Sequence, residues 1–284
     1  MNIINAHGLP DALVRAVLND PYTSGGDIST TKLIDSPRRR VLRKKYAEVV
    51  VEDVSERIWS LMGQAVHTVL ERAGGEAITE QRLYADVAGW SVSGQFDRLH
   101  LANEVLQDYK VCSTYKASGD ASWERQLNVL RWLASKNGYK VTRLEVVAIF
   151  RDWKKSESVR SESYPQQSVQ IIPVRVWSDD EVEAYLEERV RMHQQAEAGD
   201  LPECTDEERW QSETKYALIK DGGKRAKKVA ASLEEIGVVP DGHSIQVRKG
   251  ESRRCAGYCE VAPFCDQWQR IKQEQESSDH DVDY

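Results

Sequence analysis

The chain has 284 residues, 40% of them hydrophobic and 30% charged, and its 39 basic and 46 acidic side chains leave a net charge of −7. That length suits one large domain or a core with a smaller appendage, and no apolar run approaches the roughly 20 residues of a membrane span. An acidic balance argues against a uniformly basic surface but leaves room for local basic stripes. The N-terminus, MNIINAHGLPDALV, shows no basic start, apolar middle or small-residue cleavage site, so a cytoplasmic location with reduced thiols is expected.

Residues 1–28 mix Gly, Pro and Asp with little periodicity and are expected to form an irregular lead-in. From Ser55 to Ala73, Ile58, Leu61, Met62, Ala65, Val66, Val69 and Leu70 recur at helical spacing, and Gly74-Gly75 ends the helix. That apolar stripe is expected to face the core. Strands follow at Gln81 to Val87, Trp90 to Leu99 and Glu104 to Cys112, an antiparallel meander. A helix over Ala121 to Asn137 carries Trp123, Leu127, Leu130 and Ala134 on one stripe, and strands fit Leu144 to Phe150 and Val169 to Val176. Ser178 is a good N-cap for a charged helix over Asp179 to Ala198, with Gly199 as its stop. This order predicts an α/β core, residues 29–200, built as a mixed sheet flanked by helices. Residues 201–270 form a small, basic, Cys-containing region, and 271–284 read as a disordered acidic tail.

Within QDYKVCS, the side-chain period of two puts Asp108 and Lys110 on one face of a strand. The neighbouring VSGQFDRL brings Asp97 near the same end of the hairpin. Two carboxylates facing one space repel unless a cation lies between them, an arrangement suited to Mg²⁺. His67 lies off the apolar stripe of its helix, next to Gly63, and is not a core histidine, while Gln126 flanks the buried stripe of its own helix. Glu80, just before the first strand, could assist a second metal, although an exposed strand-end carboxylate is the simpler expectation.

ISTTKLIDSPRRRVL, GQAVH (Gly63 to His67), GQFD (Gly94 to Asp97), DYK (Asp108 to Lys110) and QLNVL from Gln126 occur in that order. Together they resemble the motifs of the PD-(D/E)xK nuclease superfamily, in its RecB-like branch, over roughly Ser29 to Phe150. The resemblance implies a restriction-endonuclease-like core and a Mg²⁺- or Mn²⁺-dependent DNA exonuclease of phage or bacterial recombination. It further implies metal held by His67, Asp97, Asp108 and the Tyr109 carbonyl, with Lys110 and Gln126 completing the catalytic group. Lys110 would orient the nucleophile, take its proton or stabilise the phosphate charge. Two positions depart from the pattern: Leu130 stands where the family carries Tyr, and Ser36 where many relatives carry a cluster-binding Cys.

Cys255, Cys259 and Cys265 are close enough to surround one metal centre, with Cys204 as fourth ligand, whereas Cys112 is expected to be a packed strand residue. Four thiolates suit zinc or an iron–sulfur cluster. The lone Cys with a tight group of three resembles the [4Fe-4S] staple of RecB-like nucleases, including CRISPR- and helicase-associated ones. Basic runs place Arg39, Arg40, Lys224, Arg225, Lys228, Arg253 and Arg254 as candidate DNA contacts, the Lys224 to Lys228 segment as a helix. DNA is the expected partner, with a recombinase or single-strand-binding protein as a second. The rival expectations are a DNA-binding subunit that keeps the nuclease fold, and a metal-stapled interaction module. No G-x-x-x-x-G-K-[ST], H-E-x-x-H or G-x-S-x-G occurs, which leaves ATPase, zinc protease and esterase functions without a motif.

Overall fold

The computed structural model of the protein describes residues 2–19 and 25–280. Its contacts divide the chain into two units, Met1–Arg40 with Val51–Leu201 and Val41–Val50 with Pro202–Tyr284. The larger unit begins with β1 (Asn2–Ile4), α1 (Asp11–Leu18), β2 (Ile28–Ser29), α2 (Thr30–Ile34), the first residues of α3 (Pro37–Lys45) and β3 (Val51–Asp53). The expected irregular lead-in over 1–28 is thus corrected outside the undescribed residues 1 and 20–24. β1 pairs in parallel with β3, and Asp53 accepts hydrogen bonds from the amides of Ala6 at 2.7 Å and Ser55 at 2.9 Å. Partners some fifty residues downstream supply this order, and local periodicity carries no trace of them.

Next come α4 (Ile58–Arg72), β4 (Ile78–Val87), β5 (Trp90–His100), β6 (Val105–Cys112), α5 (Ala121–Lys136), β7 (Arg143–Phe150), α6 (Lys155–Arg160), β8 (Val169–Val174) and α7 (Asp179–Glu197). The sheet runs β2-β5-β6-β7-β8, with β4 also paired to β5. β4, β5 and β6 form the expected antiparallel meander; β6 and β7 lie parallel with α5 as their crossover, and β8 returns antiparallel. The result is a mixed α/β sheet flanked by helices. The β4–β5 turn is Ala88-Gly89, both at positive φ (46° and 82°), the combination a two-residue hairpin needs. Ser178 caps α7 through a capping box with Glu181, as its sequence position predicts.

α5 lies at the centre of the core, with Leu127, Val129, Leu130 and Leu133 all at most 1% exposed. Its single buried amide, Asn128, is satisfied: it donates to the carbonyls of Glu124 and Arg175 and accepts from the Trp177 amide. α4 corrects an expectation, since its apolar stripe does not enter the core: Met62 is 41% and Val69 65% exposed, and no residue of the helix is buried. Periodicity shows that a helix is amphipathic, not which neighbour covers its apolar face.

The smaller unit holds β9 (Lys215–Lys220), β10 (Ala226–Ala230), α8 (Leu233–Ile236), β11 (His243–Arg248), α9 (Arg253–Gly257) and α10 (Asp266–His280). Its sheet is antiparallel in the order β10-β9-β11. Residues 41–50 join it through a Tyr46–Phe264 ring stack at 4.4 Å and an Arg43–Glu260 ion pair at 3.4 Å. The segment Lys224 to Lys228 is a turn leading into β10, not a helix. α10 continues to His280 where a disordered tail is expected from 271, because Gln, Glu, Lys and Arg are good helix formers even without an apolar stripe. The tail's last residues, 281–284, lie outside the described residues.

Gly94 on β5 shows why the strand needs a glycine there. A Cβ would come within 2.5 Å of Leu130 Cδ2, 2.6 Å of Thr30 Oγ1 and 2.7 Å of Leu133 Cδ1, all on buried side chains. Gly94→Ala is therefore expected to cost about 1–3 kcal/mol through overpacking. A Cβ at Gly63, inside α4, would meet nothing within 4 Å, so Gly63→Ala should stabilise by about 1 kcal/mol through helix propensity. Urea unfolding of both variants measures the contrast.

Candidate metal centre

The site lies where β5 changes neighbours. β4 runs along one edge of β5, while the other edge is shared: β2 takes Val92 and Ser93, and β6 takes Arg98 to His100. The ladder with β6 ends at the pair Arg98 and Gln107, so the next residues, Asp97 and Asp108, face each other where the strands part. Side chains then satisfy the Tyr109 backbone. Asp97 Oδ2 accepts the Tyr109 amide at 2.6 Å, and His67 Nε2 donates to the Tyr109 carbonyl at 3.1 Å.

The other ring nitrogen of His67, Nδ1, is 3.4 Å from both Glu80 Oε1 and Asp97 Oδ1. Both nitrogens face acceptors, so the ring is an imidazolium. Hydrogen bonds to Asp97 first and Glu80 second raise its pKa from 6.5 to about 10. Glu80 is not the exposed strand end the sequence suggests. The pairs Thr79–Arg98 and Gln81–Phe96 set it directly across from Asp97, in a left-handed backbone conformation with φ of 50°. Gln95 donates to Glu80 Oε2 at 2.7 Å and accepts from Arg82 at 2.9 Å, which fixes the carboxylate from behind.

Asp108 and Lys110 do share a face: Lys110 Nζ is 2.8 Å from Asp108 Oδ2. Gln126 joins them, accepting from Lys110 Nζ at 3.0 Å and donating to Asp108 Oδ1 at 3.1 Å. Asp108 is 2% exposed, and burial pushes its carboxyl up to about 6 against the pull of Lys110. Burial also opposes the charge on Lys110, but the Asp108 carboxylate outweighs it and the ammonium is held above its ordinary range. Asp108 Oδ2 is a buried oxygen whose contact with Lys110 lacks hydrogen-bond geometry, which leaves a lone pair for another cation.

The donor set fits a hard divalent cation. Ligand atoms of His67, Glu80 and Asp97 lie within 4.8 Å of one another, and among the described residues no other group of three does so. Carboxylates and a carbonyl suit Mg²⁺, and a single imidazole is compatible with Mn²⁺. Glu80 and Gln95 are the residues sequence reasoning missed or undervalued. Glu80's signal was its place opposite Asp97 across the hairpin, and Gln95's was its place two residues before Asp97.

The remaining candidates fall in other places. Leu130 is 1% exposed and packs toward Gly94, so no outward-facing group stands at the position where an aromatic is expected. Ser36 is buried and accepts from the Arg39 amide at 3.3 Å as the cap of α3, with Pro37 in its first turn. Cys112 packs in the core at 8% exposure. In the smaller unit, the Cys204 amide donates to Gln267 Oε1 at 2.8 Å and its carbonyl accepts from Gln267 Nε2 at 2.9 Å, which ties it two residues from Cys265. Burial, then the neighbouring Cys259 and Cys265, raise the Cys255 thiol pKa.

Several basic candidates are engaged within the protein. Arg39 pairs with Asp35 at 2.6 Å; Arg40 pairs with Glu197 at 2.8 Å and donates to His193 Nδ1 at 3.0 Å. Arg254 stacks over Trp210 and donates to the Glu208 carbonyl at 3.1 Å, and Lys228 donates to the Glu235 carbonyl. Lys224, Arg225 and Arg253 are exposed.

No family model matches the sequence, and no curated protein matches it significantly. Among solved structures, the protein SSO0001 is 18% identical, with a TM-score of 0.47 over 64% of this chain and 84% of that one. A phage related exonuclease from Haemophilus somnus 129PT is 14% identical, with a TM-score of 0.36 over 56% and 78% of the two chains. At this distance, function has to be argued from side-chain geometry.

The His67 imidazolium makes a prediction about pH. Its folded pKa lies above the ordinary value, so its contribution to stability is complete below about 6.5 and is lost as pH rises through about 10. In the presence of a chelator, thermal stability is expected to decline from pH 6.5 to 10, and His67→Gln to flatten that decline. An unchanged slope in the variant would contradict the assignment.

Proposed function

We propose that the chain is a Mg²⁺- or Mn²⁺-dependent deoxyribonuclease, an exonuclease that hydrolyses phosphodiester bonds in DNA processing or recombination. One observation carries the reading: ligand atoms of His67, Glu80 and Asp97 gather in one space, next to Asp108 and an ammonium, Lys110, that is held by a carboxylate and a carboxamide. A DNA-binding subunit has no need for such a group. The ordered resemblance to RecB-like motifs points the same way and supplies the preference for DNA ends.

In this reading, His67, Glu80, Asp97, Asp108 and the Tyr109 carbonyl hold the cation. A divalent cation there supplies Lewis acidity, drawing charge from phosphate oxygens and making water a better nucleophile at neutral pH. Asp97 fixes the Tyr109 peptide through its amide and so aims the carbonyl into the site. Of the three roles open to Lys110, its placement favours charge stabilisation: its ammonium, held by Asp108 and Gln126, would meet the negative charge that builds on the phosphate. Gln126 holds Nζ in place and, through its amide, orients Asp108. His67 must give up its proton to act as a ligand, so metal binding is tied to proton release.

The second part of the proposal is a structural metal centre of Cys204, Cys255, Cys259 and Cys265, a [4Fe-4S] cluster in preference to zinc. The Cys204–Gln267 clamp, two residues from Cys265, and the placing of Cys259 and Cys265 near the Cys255 thiol support it. Lys224, Arg225 and Arg253 remain as exposed candidates for phosphate contacts.

Incubated with end-labelled linear DNA and Mg²⁺ or Mn²⁺, the protein is expected to degrade it, with Asp108→Ala and Lys110→Ala slowed by about 10²-fold or more. Equal rates in all three proteins would remove the reading. Anaerobically purified protein is expected to be brown with visible absorbance; colourless protein with stoichiometric zinc would decide for the zinc alternative.

A further inference from the structure

Trp59, Gly63 and His67 follow one another at four-residue steps and form a single ridge of α4. At one end, His67 joins the metal centre. At the other, Trp59 is 53% exposed, with the Arg151 guanidinium 4.1 Å from its ring centroid. Between them Gly63 leaves the ridge open. Among the described residues no carboxylate pairs with Arg151. Its position is fixed by the sheet: the Arg151 amide donates to the Cys112 carbonyl at 2.9 Å, two residues beyond Lys110 on β6.

The next residue, Asp152, accepts from the Thr114 amide at 2.8 Å and from the Ser113 hydroxyl. This holds the turn that carries Tyr115, which is 77% exposed. Eight helical residues place Trp59 about 12 Å from His67 along α4, and three strand residues separate the level of Arg151 from Lys110 by about 10 Å. Two exposed aromatic rings and an unpaired guanidinium thus stand a few nucleotides from the metal centre.

We infer that Trp59, Arg151 and Tyr115 form a stacking platform for unpaired bases, so that the strand entering the site is single-stranded where it crosses α4. The inference rests on the nuclease reading and specifies its substrate. In a duplex, base faces are covered by their neighbours and only edges and backbone are offered. An exposed aromatic face gains contact area only from bases that have left the stack, and a guanidinium adds cation–π attraction and a phosphate contact. An apolar protein partner would match Trp59 and Met62 but would strand the charge of Arg151.

The test is fluorescence anisotropy in EDTA, where binding is separated from cleavage. A labelled single-stranded oligonucleotide and a blunt duplex of equal length are titrated with wild type, Trp59→Ala, Trp59→Phe and Arg151→Ala. Single-strand affinity is expected to fall about 5- to 100-fold in Trp59→Ala, to be largely retained in Trp59→Phe and to fall in Arg151→Ala, with duplex affinity unchanged throughout. Unchanged single-strand binding in Trp59→Ala, or equal loss for both DNAs, would overturn the platform. Trp59 is exposed, so its replacement should leave the fold intact, which circular dichroism checks. Cleavage of linear DNA by wild type with Mn²⁺ is read separately: no cleavage, with the selective single-strand loss present, would overturn the nuclease reading and not the platform.

Discussion

Glu80 and Asp97 stand opposite one another on paired antiparallel strands, with Asp108 across the splayed end of β6. Like charges set directly across a sheet destabilise it, and Glu80 adds the strain of a left-handed backbone. Burying Asp108 adds a desolvation cost that its raised pKa records. Neighbouring positive groups offset these costs: the imidazolium of His67 on one side and the ammonium of Lys110 on the other. A cation-binding role explains why so much negative charge is gathered where a protein fold alone would avoid it.

The framework serves that gathering. β5 is shared by three strands, and the stretch from Gly94 to Asp97 falls where its second edge passes from β2 to β6. Gly94 lets α5 approach this stretch closely, with Leu130 and Leu133 against the strand, and the same helix presents Gln126 to Asp108 and Lys110. One helix thereby packs the core with one face and orders the site with the flank of that face.

Much of this was legible in the sequence because it is periodic. The period of two put Asp108 and Lys110 on one face, and the helical wheel set His67 apart from the apolar stripe and Gln126 beside one. What escaped depends on conformation or on distant partners. A positive φ at Glu80 has no residue signature, so its conformation could not be read from type or spacing, although its place just before the first strand marked it as a possible second-metal ligand. The stripe of α4 predicted a helix correctly, yet Met62 and Val69 on it are exposed, because periodicity does not say which neighbour an apolar face meets. Arg40 looked like part of a basic run, but Glu197 and His193, far along the chain, engage it. The Lys224 to Lys228 run is rich in helix-compatible lysine, yet its residues from Ala226 onward pair with β9 as a hairpin strand.

The account turns on a cation lying among the carboxylates. Its most direct test is a crystal structure at pH 8 with saturating Mn²⁺, with diffraction recorded at the manganese absorption edge. The account predicts an anomalous peak bounded by His67, Glu80, Asp97, Asp108 and the Tyr109 carbonyl, with the His67–carboxylate hydrogen bonds replaced by metal ligation. A peak elsewhere, or His67 still bridging Glu80 and Asp97 at saturating Mn²⁺, would contradict it.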